Sequence, residues 1–182
     1  MPGKLSSNAQ EFEKSALRIR KFAGLSSYDR LDPYDLAKRL GMEVVDIKNI
    51  PSISDQTARL LLLERFDEWS GASSGKLAGG LVLIVLNTTQ SQQRRKATLM
   101  EEICHVLLGH QRNRLSAELL GSRDYNKKDE TEAYAVGAAA LVPLAGLRYF
   151  MSQGVSLAEI ARHYGVTRAL VEYRIKITGL ST

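Results

Sequence analysis

Two adjacent glutamates followed by a histidine are the residues of this sequence best suited to chemistry. They lie in the stretch LMEEICHVLLGH, residues 99–110. Glu101 and His105 are four residues apart, so on a helix they are neighbours on one face, and Glu102 can reach the same space. Carboxylates and imidazoles bind metal ions, and a carboxylate beside them can carry a proton. The alternative, and the commoner origin of such a pattern, is a solvated edge on an amphipathic helix.

A further acidic ligand is available later in the chain, in the stretch DETEAYAVGAAALVP. Glu132 precedes a run of small and apolar residues, whose size would let this helix pack close to another. A lone acid at the start of such a helix could point at the same metal ion, whereas Glu130, two positions earlier, would lie on a different face. The alternative is that Glu132 is a helix-start charge favoured by the helix dipole.

Two predicted helices carry these residues. The first runs from about Gln92 to Leu108 and follows a short buried strand, LVLIVL, at 81–86. The second covers about 129–142 and stops at a proline. Cys104 falls on the apolar side of the first helix, so it is interpreted as a packed small hydrophobe and not as a nucleophile.

The remaining helices, strands and loops are predicted from local sequence signals. A polar helix is predicted at 8–22, and another begins after Asp32 and ends at Gly41, where the strand MEVVDI follows. The stretch TARLLLLERF fits a strand or a helix, and a strand is favoured because it could pair with the chain that follows. Residues 70–80 are interpreted as a Gly/Ser loop, and residues 112–129 as a polar connection with a short helical piece.

The C-terminal stretch SLAEIARHYGVTRALVEYRIKITGL has the spacing of a helix-turn-helix, with helices at about 156–163 and 167–176. Three basic side chains of the second helix are predicted to be exposed, as they would be in a DNA-binding module: Arg168, Arg174 and Lys176. The alternative is that this pair of helices completes the core of the preceding domain. That alternative is favoured because the second helix has few side chains that read bases.

Composition narrows the class of protein. The chain has 182 residues, of which 44% are hydrophobic and 25% charged, as in a soluble globular domain. The net charge of +5 permits a nucleic-acid or acidic partner without requiring one. A single cysteine excludes an intrachain disulfide, and neither a signal peptide nor a membrane span is recognised. The sequence therefore predicts a cytoplasmic protein without a membrane partner.

The order of these features resembles the ImmA/IrrE family of bacterial metallopeptidases. The resemblance rests on DPYDLAKRLGMEVV, LVLIVLN, RRKATLMEEICHVLLGH, ETEAYAVGAAALVP and the C-terminal helix pair. It implies an α+β, zincin-like metallopeptidase domain with a small sheet and an active-site helix, followed by a helix-turn-helix-like pair. The expected division is an N-terminal helical extension at 1–27, the peptidase-like domain at 28–150 and the C-terminal segment at 151–182.

Carried over by position, the resemblance implies a metal site and its roles. The metal ligands would be Glu101, His105 and Glu132, and Glu102 would be the general base toward a metal-activated water. Glu101 stands where the family has the first His of its HExxH motif, so the ligand set is rich in carboxylates. Zinc is the expected metal, with manganese or iron as alternatives. The donor to the oxyanion is left open among three residues: Tyr125, Tyr134 and His110.

The implied function is cleavage of a regulatory protein, such as a helix-turn-helix repressor. Two other functions stay open. One is a catalytically impaired relative that binds a regulatory partner through the same cleft. The other is a DNA-binding regulator that acts through residues 156–177. Metal content separates the first two, and salt-dependent DNA binding would support the third.

Overall fold

The computed structural model describes residues 5–50, 53–74, 76–110 and 126–180. Contacts divide these residues into two compact units. We call residues 33–130 the sheet unit, and the described residues of 1–32 and 131–182 the helical unit. The architecture is mixed α+β, as the sequence predicts. The predicted division at residues 27 and 150 stays a prediction.

The sheet unit contains a small mixed sheet. Its strands are β1 (Met42–Val45), β2 (Gly71–Ser73) and β3 (Val82–Leu86), in the order β1-β3-β2. β1 runs parallel to β3, and β2 runs antiparallel to it. The interpretation of 70–80 as a loop is therefore wrong for β2. Gly, Ala and Ser have weak strand propensity, and the pairing with buried β3 overrides it.

The helices of the sheet unit are α2 (Pro33–Arg39), α3 (Asp55–Arg59) and α4 (Gln92–Leu108), with single 3-10 turns at Ile47–Asn49 and Ala78–Gly80. α3 continues into a π-helical turn, Leu60–Glu64. The prediction of a strand in TARLLLLERF is therefore wrong. Leucine favours helices, and burial of Ala58, Leu61 and Leu62 follows helical spacing while Leu63 is exposed.

A hydrophobic cluster supports one side of the sheet. It contains Trp69 and buried residues from the turns and strands around it: Ile47, Ile50, Ala58, Leu61, Leu62, Ala72 and Val85. The Trp69 indole N–H donates to the carbonyl oxygen of Leu61 at 2.8 Å, which satisfies its polar atom within the core. The segment before β2 is thereby held against the π-helical turn.

The helical unit is built from α1 (Ser7–Phe22), most of α5 (Lys127–Leu141), α6 (Leu144–Ser152), α7 (Leu157–Tyr164) and α8 (Arg168–Thr178). The first four residues of α5 belong to the sheet unit. α6 is absent from the sequence-based prediction, because Pro143 is interpreted there as a stop. In the structure Pro143 is the N-cap of a new helix.

Two buried arginines hold the helical unit together. Arg20 of α1 donates to the carbonyl oxygens of Ser26, Asp29 and Ala140. Arg174 of α8 donates to the carbonyl oxygen of Val142 at 2.9 Å and pairs with the Glu13 carboxylate.

The prediction that Arg174 is exposed is therefore wrong, since its side chain is only 1% exposed. Arg168 and Lys176 are exposed, as predicted. The inward face of the helix pair contains buried apolar side chains: Ile160, Ala161, Leu170 and Val171. Burial of Arg174 agrees with the alternative in which α7 and α8 complete a core.

Among the described residues, no single helix is long and apolar enough to cross a membrane. Only α5 and α6 taken together reach the required length and hydropathy, and they are bent by 49° at the break between them.

Candidate metal centre

Helix α4 carries the central residues of the site. The Ser91 side chain accepts a hydrogen bond from the backbone N–H of Arg94, and Gly109, at φ +74°, ends the helix. Within it Glu102 is 5% exposed and His105 is 1% exposed, while Glu101 is half-buried. The solvated-edge alternative is therefore wrong for Glu102 and His105. Groups of this polarity are buried only where they interact with other groups.

The Asn87 side chain positions two segments of the chain that flank the site, and Asn87 is not among the residues predicted from the sequence. Its side-chain N–H groups donate to the carbonyl oxygens of Phe66 at 2.5 Å and Trp69 at 3.0 Å. Its side-chain oxygen accepts from the backbone N–H of Thr89 at 3.0 Å. This buried amide joins the segment before β2 to the turn that leads into α4. A polar residue directly after a buried strand is the signal that could have identified it.

Three side chains of the sheet unit converge into a cluster with the chemistry of metal ligands. They are Glu101, His105 and Glu130, and one ligand atom of each lies within 4.8 Å of those of the other two. Nε2 of His105 is 3.7 Å from Oε1 of Glu130. We call these three residues the acid–histidine cluster.

The cluster fits a divalent cation. Metal–ligand bonds of about 2.0–2.2 Å place neighbouring ligand atoms about 3–4 Å apart in a tetrahedral site. The 3.7 Å separation between Nε2 of His105 and Oε1 of Glu130 lies in that range, and the ligand atoms of all three residues lie within 4.8 Å of one another. Two carboxylates and one imidazole suit zinc, manganese or iron, and the two carboxylates favour the harder ions more than an HExxH set would. The donor set is therefore compatible with the metal that the resemblance implies.

The presence of Glu130 in this cluster corrects the sequence-based placement of that residue. The Asn126 side chain accepts a hydrogen bond from the backbone N–H of Lys128, and the backbone N–H of Glu130 donates to the Asn126 carbonyl oxygen. α5 therefore begins at Lys127, two residues before the predicted start. Glu130 consequently lies in the first turn of the helix, with its carboxylate toward His105.

Glu102 lies beside the acid–histidine cluster and is bound to the sheet. The hydroxyl of Ser73, on edge strand β2, donates to Oε2 of Glu102 at 2.7 Å, and both residues are buried. Ser73 is not predicted from the sequence as a site residue, because it lies in the stretch interpreted as a loop. A carboxylate held in one orientation next to a metal site can accept a proton from water.

Glu101, Glu102 and Glu130 line an acidic cleft of about 170 Å³ within the sheet unit. Its lining includes five carboxylates, from Asp67, Glu68, Glu101, Glu102 and Glu130. Thr98, Trp69, Ser70 and Gly71 complete it. The negative charge of this cleft would attract a cation.

Gly71 allows the close approach of β2 to α4 that shapes the cleft. A Cβ at this position would lie 2.6 Å from Cγ2 of Thr98 and 3.1 Å from the carbonyl oxygen of Val85. A larger residue would therefore push the edge strand away from the helix.

His110 contacts the imidazole of His105 on the side away from Glu130. The two Nδ1 atoms are 3.0 Å apart, and the rings are in edge-to-face contact with centroids 5.0 Å apart. The role of His110 as an oxyanion donor stays a prediction.

The other predicted site residues have the following positions. Glu132 is half-buried on α5, in the helical unit, and its role as a metal ligand stays a prediction. Tyr134 stacks edge-to-face on Tyr173 with centroids 4.9 Å apart, while Tyr125 lies outside the described residues. Cys104 is buried, as predicted. Burial, and secondarily the charge of Glu101, raises the pKa of its thiol well above the usual range.

Comparisons with known proteins identify the family of this chain and a structure of similar fold. The sequence model of the peptidase M78 family, described as the IrrE N-terminal-like domain, matches residues 60–176. A comparison with curated proteins finds no significant match. Among solved structures, a Mycobacterium tuberculosis transcriptional regulator is similar in fold, with a TM-score of 0.54 and 13% sequence identity.

The similarity to the regulator covers 91% of this chain and 47% of that chain, so this chain spans about half of its length. At this identity the similarity is evidence of a shared fold. The family model covers the acid–histidine cluster and more than half of the sequence. The chain therefore belongs to the IrrE N-terminal-like domain family of peptidases.

Proposed function

We propose that this chain is a metal-dependent endopeptidase that cleaves a regulatory protein. The observation that carries the proposal is the convergence of Glu101, His105 and Glu130 beside buried Glu102, at an acidic cleft that the three glutamates line. A peptidase of this type needs a cation site, a nearby proton acceptor and an opening for the peptide. The groups that support these three roles are the acid–histidine cluster, Glu102 and the acidic cleft of the sheet unit, in a chain of the peptidase family.

The proposed ligands are Glu101, His105 and an acid of α5. Glu130 is supported by its distance to His105, and Glu132 by its position in the family motif. When bound, the metal would act as a Lewis acid toward a peptide carbonyl and a water molecule. Zinc is the expected ion, and the two carboxylates make manganese or iron the alternatives.

Glu102 is the proposed general base. Its carboxylate would take a proton from the attacking water and return it to the departing amine. The hydrogen bond from Ser73 restricts rotation of this carboxylate, which favours one productive orientation. The oxyanion donor stays open between Tyr134, Tyr125 and His110.

The proposed substrate is a helix-turn-helix repressor or a similar regulatory protein. The support is the resemblance to the ImmA/IrrE family and, more weakly, the shared fold with a transcriptional regulator of about twice the length. The cytoplasmic location that the sequence predicts would place the enzyme with such a substrate, and it stays a prediction.

A second proposed function, partner binding without catalysis, is supported by the identity of residue 101. Glu101 stands where the family motif has a histidine, and this substitution could weaken the metal site enough to abolish catalysis. The chain would then be a catalytically impaired relative that binds a regulatory partner through the acidic cleft.

DNA binding through residues 156–177 has less support. Arg174 is buried against Val142 and Glu13, and Arg168 pairs with Glu172 at 2.7 Å. Few of the expected cations of α8 therefore face solvent without an acidic neighbour. If the chain nevertheless bound DNA, the affinity would fall steeply with salt concentration.

Metal content is the decisive first measurement. Purified protein would be dialysed separately against zinc, manganese and ferrous iron, and bound metal measured by elemental analysis. We expect about one ion per chain, strongly reduced in His105→Ala and Glu101→Gln. Comparing Glu130→Gln with Glu132→Gln identifies the acid of α5 that contributes. Absence of bound metal in the wild-type chain would contradict the peptidase proposal and favour the partner-binding alternative.

Cleavage would then be tested with the metal-loaded chain on a panel of purified helix-turn-helix repressors. Glu102→Gln is the matched control, because it removes the proton acceptor without removing a proposed ligand. We expect this variant to retain metal and lose cleavage. Stoichiometric metal without cleavage of any repressor would favour the catalytically impaired alternative.

A further inference from the structure

The two ring nitrogens of His105 face different partners. Nε2 lies in the acid–histidine cluster, 3.7 Å from Oε1 of Glu130. Nδ1 lies 3.0 Å from Nδ1 of His110, which is hydrogen-bonding distance. Since the His105 ring is 1% exposed, its hydrogen bonding is decided by protein groups.

A hydrogen bond between two imidazole nitrogens contains one proton, and its position decides the tautomer of each ring. A metal ligand needs an unprotonated nitrogen with its lone pair directed at the ion. If Nε2 of His105 is the ligand atom, the ring proton must be on Nδ1. The atom placed to accept that proton is Nδ1 of His110.

We infer that His110 is a positioning residue that holds His105 in the Nδ1–H tautomer and thereby strengthens the metal site. The inference rests on the proposed metal-dependent function and adds a residue to it. His110 accepts the hydrogen bond, so the His105 ring is fixed in orientation and its Nε2 lone pair points toward Glu101 and Glu130. Partners of this kind affect metal affinity because they fix the tautomer and orientation of the ligand.

The backbone conformation at the end of α4 brings the rings of His105 and His110 together. The backbone N–H of His110 donates to the His105 carbonyl oxygen at 3.0 Å, and that of Gly109 donates to the Val106 carbonyl oxygen at 3.2 Å. With Gly109 at φ +74°, these are the two bonds of a Schellman motif. In that motif the residue after the glycine folds back over the helical residue whose carbonyl oxygen accepts its backbone N–H. Here the two residues brought together are His110 and His105.

The same motif ends α8, where it provides a matched control. Gly179 has φ +63°, and the backbone N–H of Leu180 donates to the Ile175 carbonyl oxygen at 3.2 Å. Among the described residues, no atom would lie within 4 Å of a Cβ placed at Gly109 or at Gly179. Alanine at either position would therefore strain the backbone to a similar degree, but only Gly109→Ala would disturb the histidine pair.

The first test measures zinc affinity by competition with a chelator. We expect His110→Phe, which keeps a ring without a nitrogen, to bind zinc about 10–100-fold more weakly than the wild type. His110→Asn, whose side-chain oxygen can accept a hydrogen bond, should remain within about tenfold. Gly109→Ala should weaken binding, while Gly179→Ala should leave it unchanged. Far-ultraviolet circular dichroism would verify that each variant is folded.

The second test uses nuclear magnetic resonance to determine which ring nitrogen carries the proton. The chain has three histidines, so ring nitrogen resonances can be assigned with few substitutions. In the zinc-loaded protein we expect a nitrogen–nitrogen coupling across the hydrogen bond, with the proton on Nδ1 of His105. This coupling should vanish in His110→Asn.

The outcomes separate the inference from the proposed function. If the wild type bound no zinc, manganese or iron, both would fail. If the wild type bound zinc and His110→Phe bound it equally well, or if the proton resided on Nδ1 of His110, only the positioning role would be overturned.

Discussion

The Ser73 hydroxyl donates a 2.7 Å hydrogen bond to Oε2 of Glu102, so the edge strand of the sheet holds a carboxylate of α4. The contact joins β2 to α4 across 29 positions of sequence. It gives Glu102 a defined orientation beside the acid–histidine cluster. Ser73 therefore connects the stability of the sheet unit to the geometry of the proposed general base.

Removing this hydroxyl should destabilise the protein. A hydrogen bond to a charged group contributes about 1.5–3 kcal/mol, so we expect Ser73→Ala to lower the free energy of unfolding by that amount. The neighbouring Ser74 accepts a bond from the neutral backbone N–H of Leu83 at 2.9 Å, and Ser74→Ala should cost about 0.5–1.5 kcal/mol. Urea unfolding measures both. An equal or smaller loss for Ser73→Ala would show that the Glu102 contact is weak.

Gly71 should not tolerate a side chain, because its Cβ would lie 2.6 Å from Cγ2 of Thr98. Overpacking of this kind costs about 1–3 kcal/mol, so Gly71→Ala should be destabilised by that amount in urea unfolding. Thr98→Ser removes the methyl group, and the double variant should recover part of the loss. Additive effects of the two substitutions would mean that the clash with Thr98 is not the cause.

The two arginines of α8 should contribute very differently to the free energy of unfolding. Arg174→Met leaves the Glu13 carboxylate and the Val142 carbonyl without their buried donor, so we expect a loss of about 3–5 kcal/mol. Arg168 and Glu172 form an exposed i,i+4 pair, and Arg168→Ala should change the stability by less than about 0.5 kcal/mol. Chemical denaturation of both variants is the measurement. Similar losses would contradict the structural difference between these positions.

Because of Tyr164, the free energy of unfolding should depend on pH in the alkaline range. Burial raises the pKa of its hydroxyl from 10.0 to about 12, although the nearby Arg20 guanidinium acts in the opposite direction. Since the folded pKa is above the unfolded one, the stabilisation is complete below pH 10 and is lost as the pH rises toward 12. The phenol also donates to the Ser27 carbonyl oxygen at 2.8 Å.

We therefore expect the stability difference between wild type and Tyr164→Phe to narrow by up to about 2 kcal/mol between these pH values. Unfolding curves of both proteins across the alkaline range test this. A constant difference would show that Tyr164 titrates alike in both states.

Local signals in the sequence were sufficient for several elements. The predicted bounds of the site helix, Gln92 and Leu108, are confirmed because Ser91 caps its start and Gly109 provides the left-handed residue at its end. The strand at 81–86 and the helices on both sides of Gly165 are confirmed for similar reasons. The spacing also predicted that Glu101, Glu102 and His105 lie on one side of α4, since the helix period fixes the direction of each side chain relative to the others.

Tertiary structure decided which groups from other elements contact these side chains. The approach of α5 to α4 brings Glu130 to His105, and the letters DETE do not determine which acid makes this contact. β2 exists because β3 offers it a pairing edge, and only that pairing places Ser73 at Glu102. Arg174 is buried because Val142 and Glu13 supply its acceptors. Periodicity describes one element at a time, whereas these contacts join segments that are distant in sequence and depend on how those segments pack.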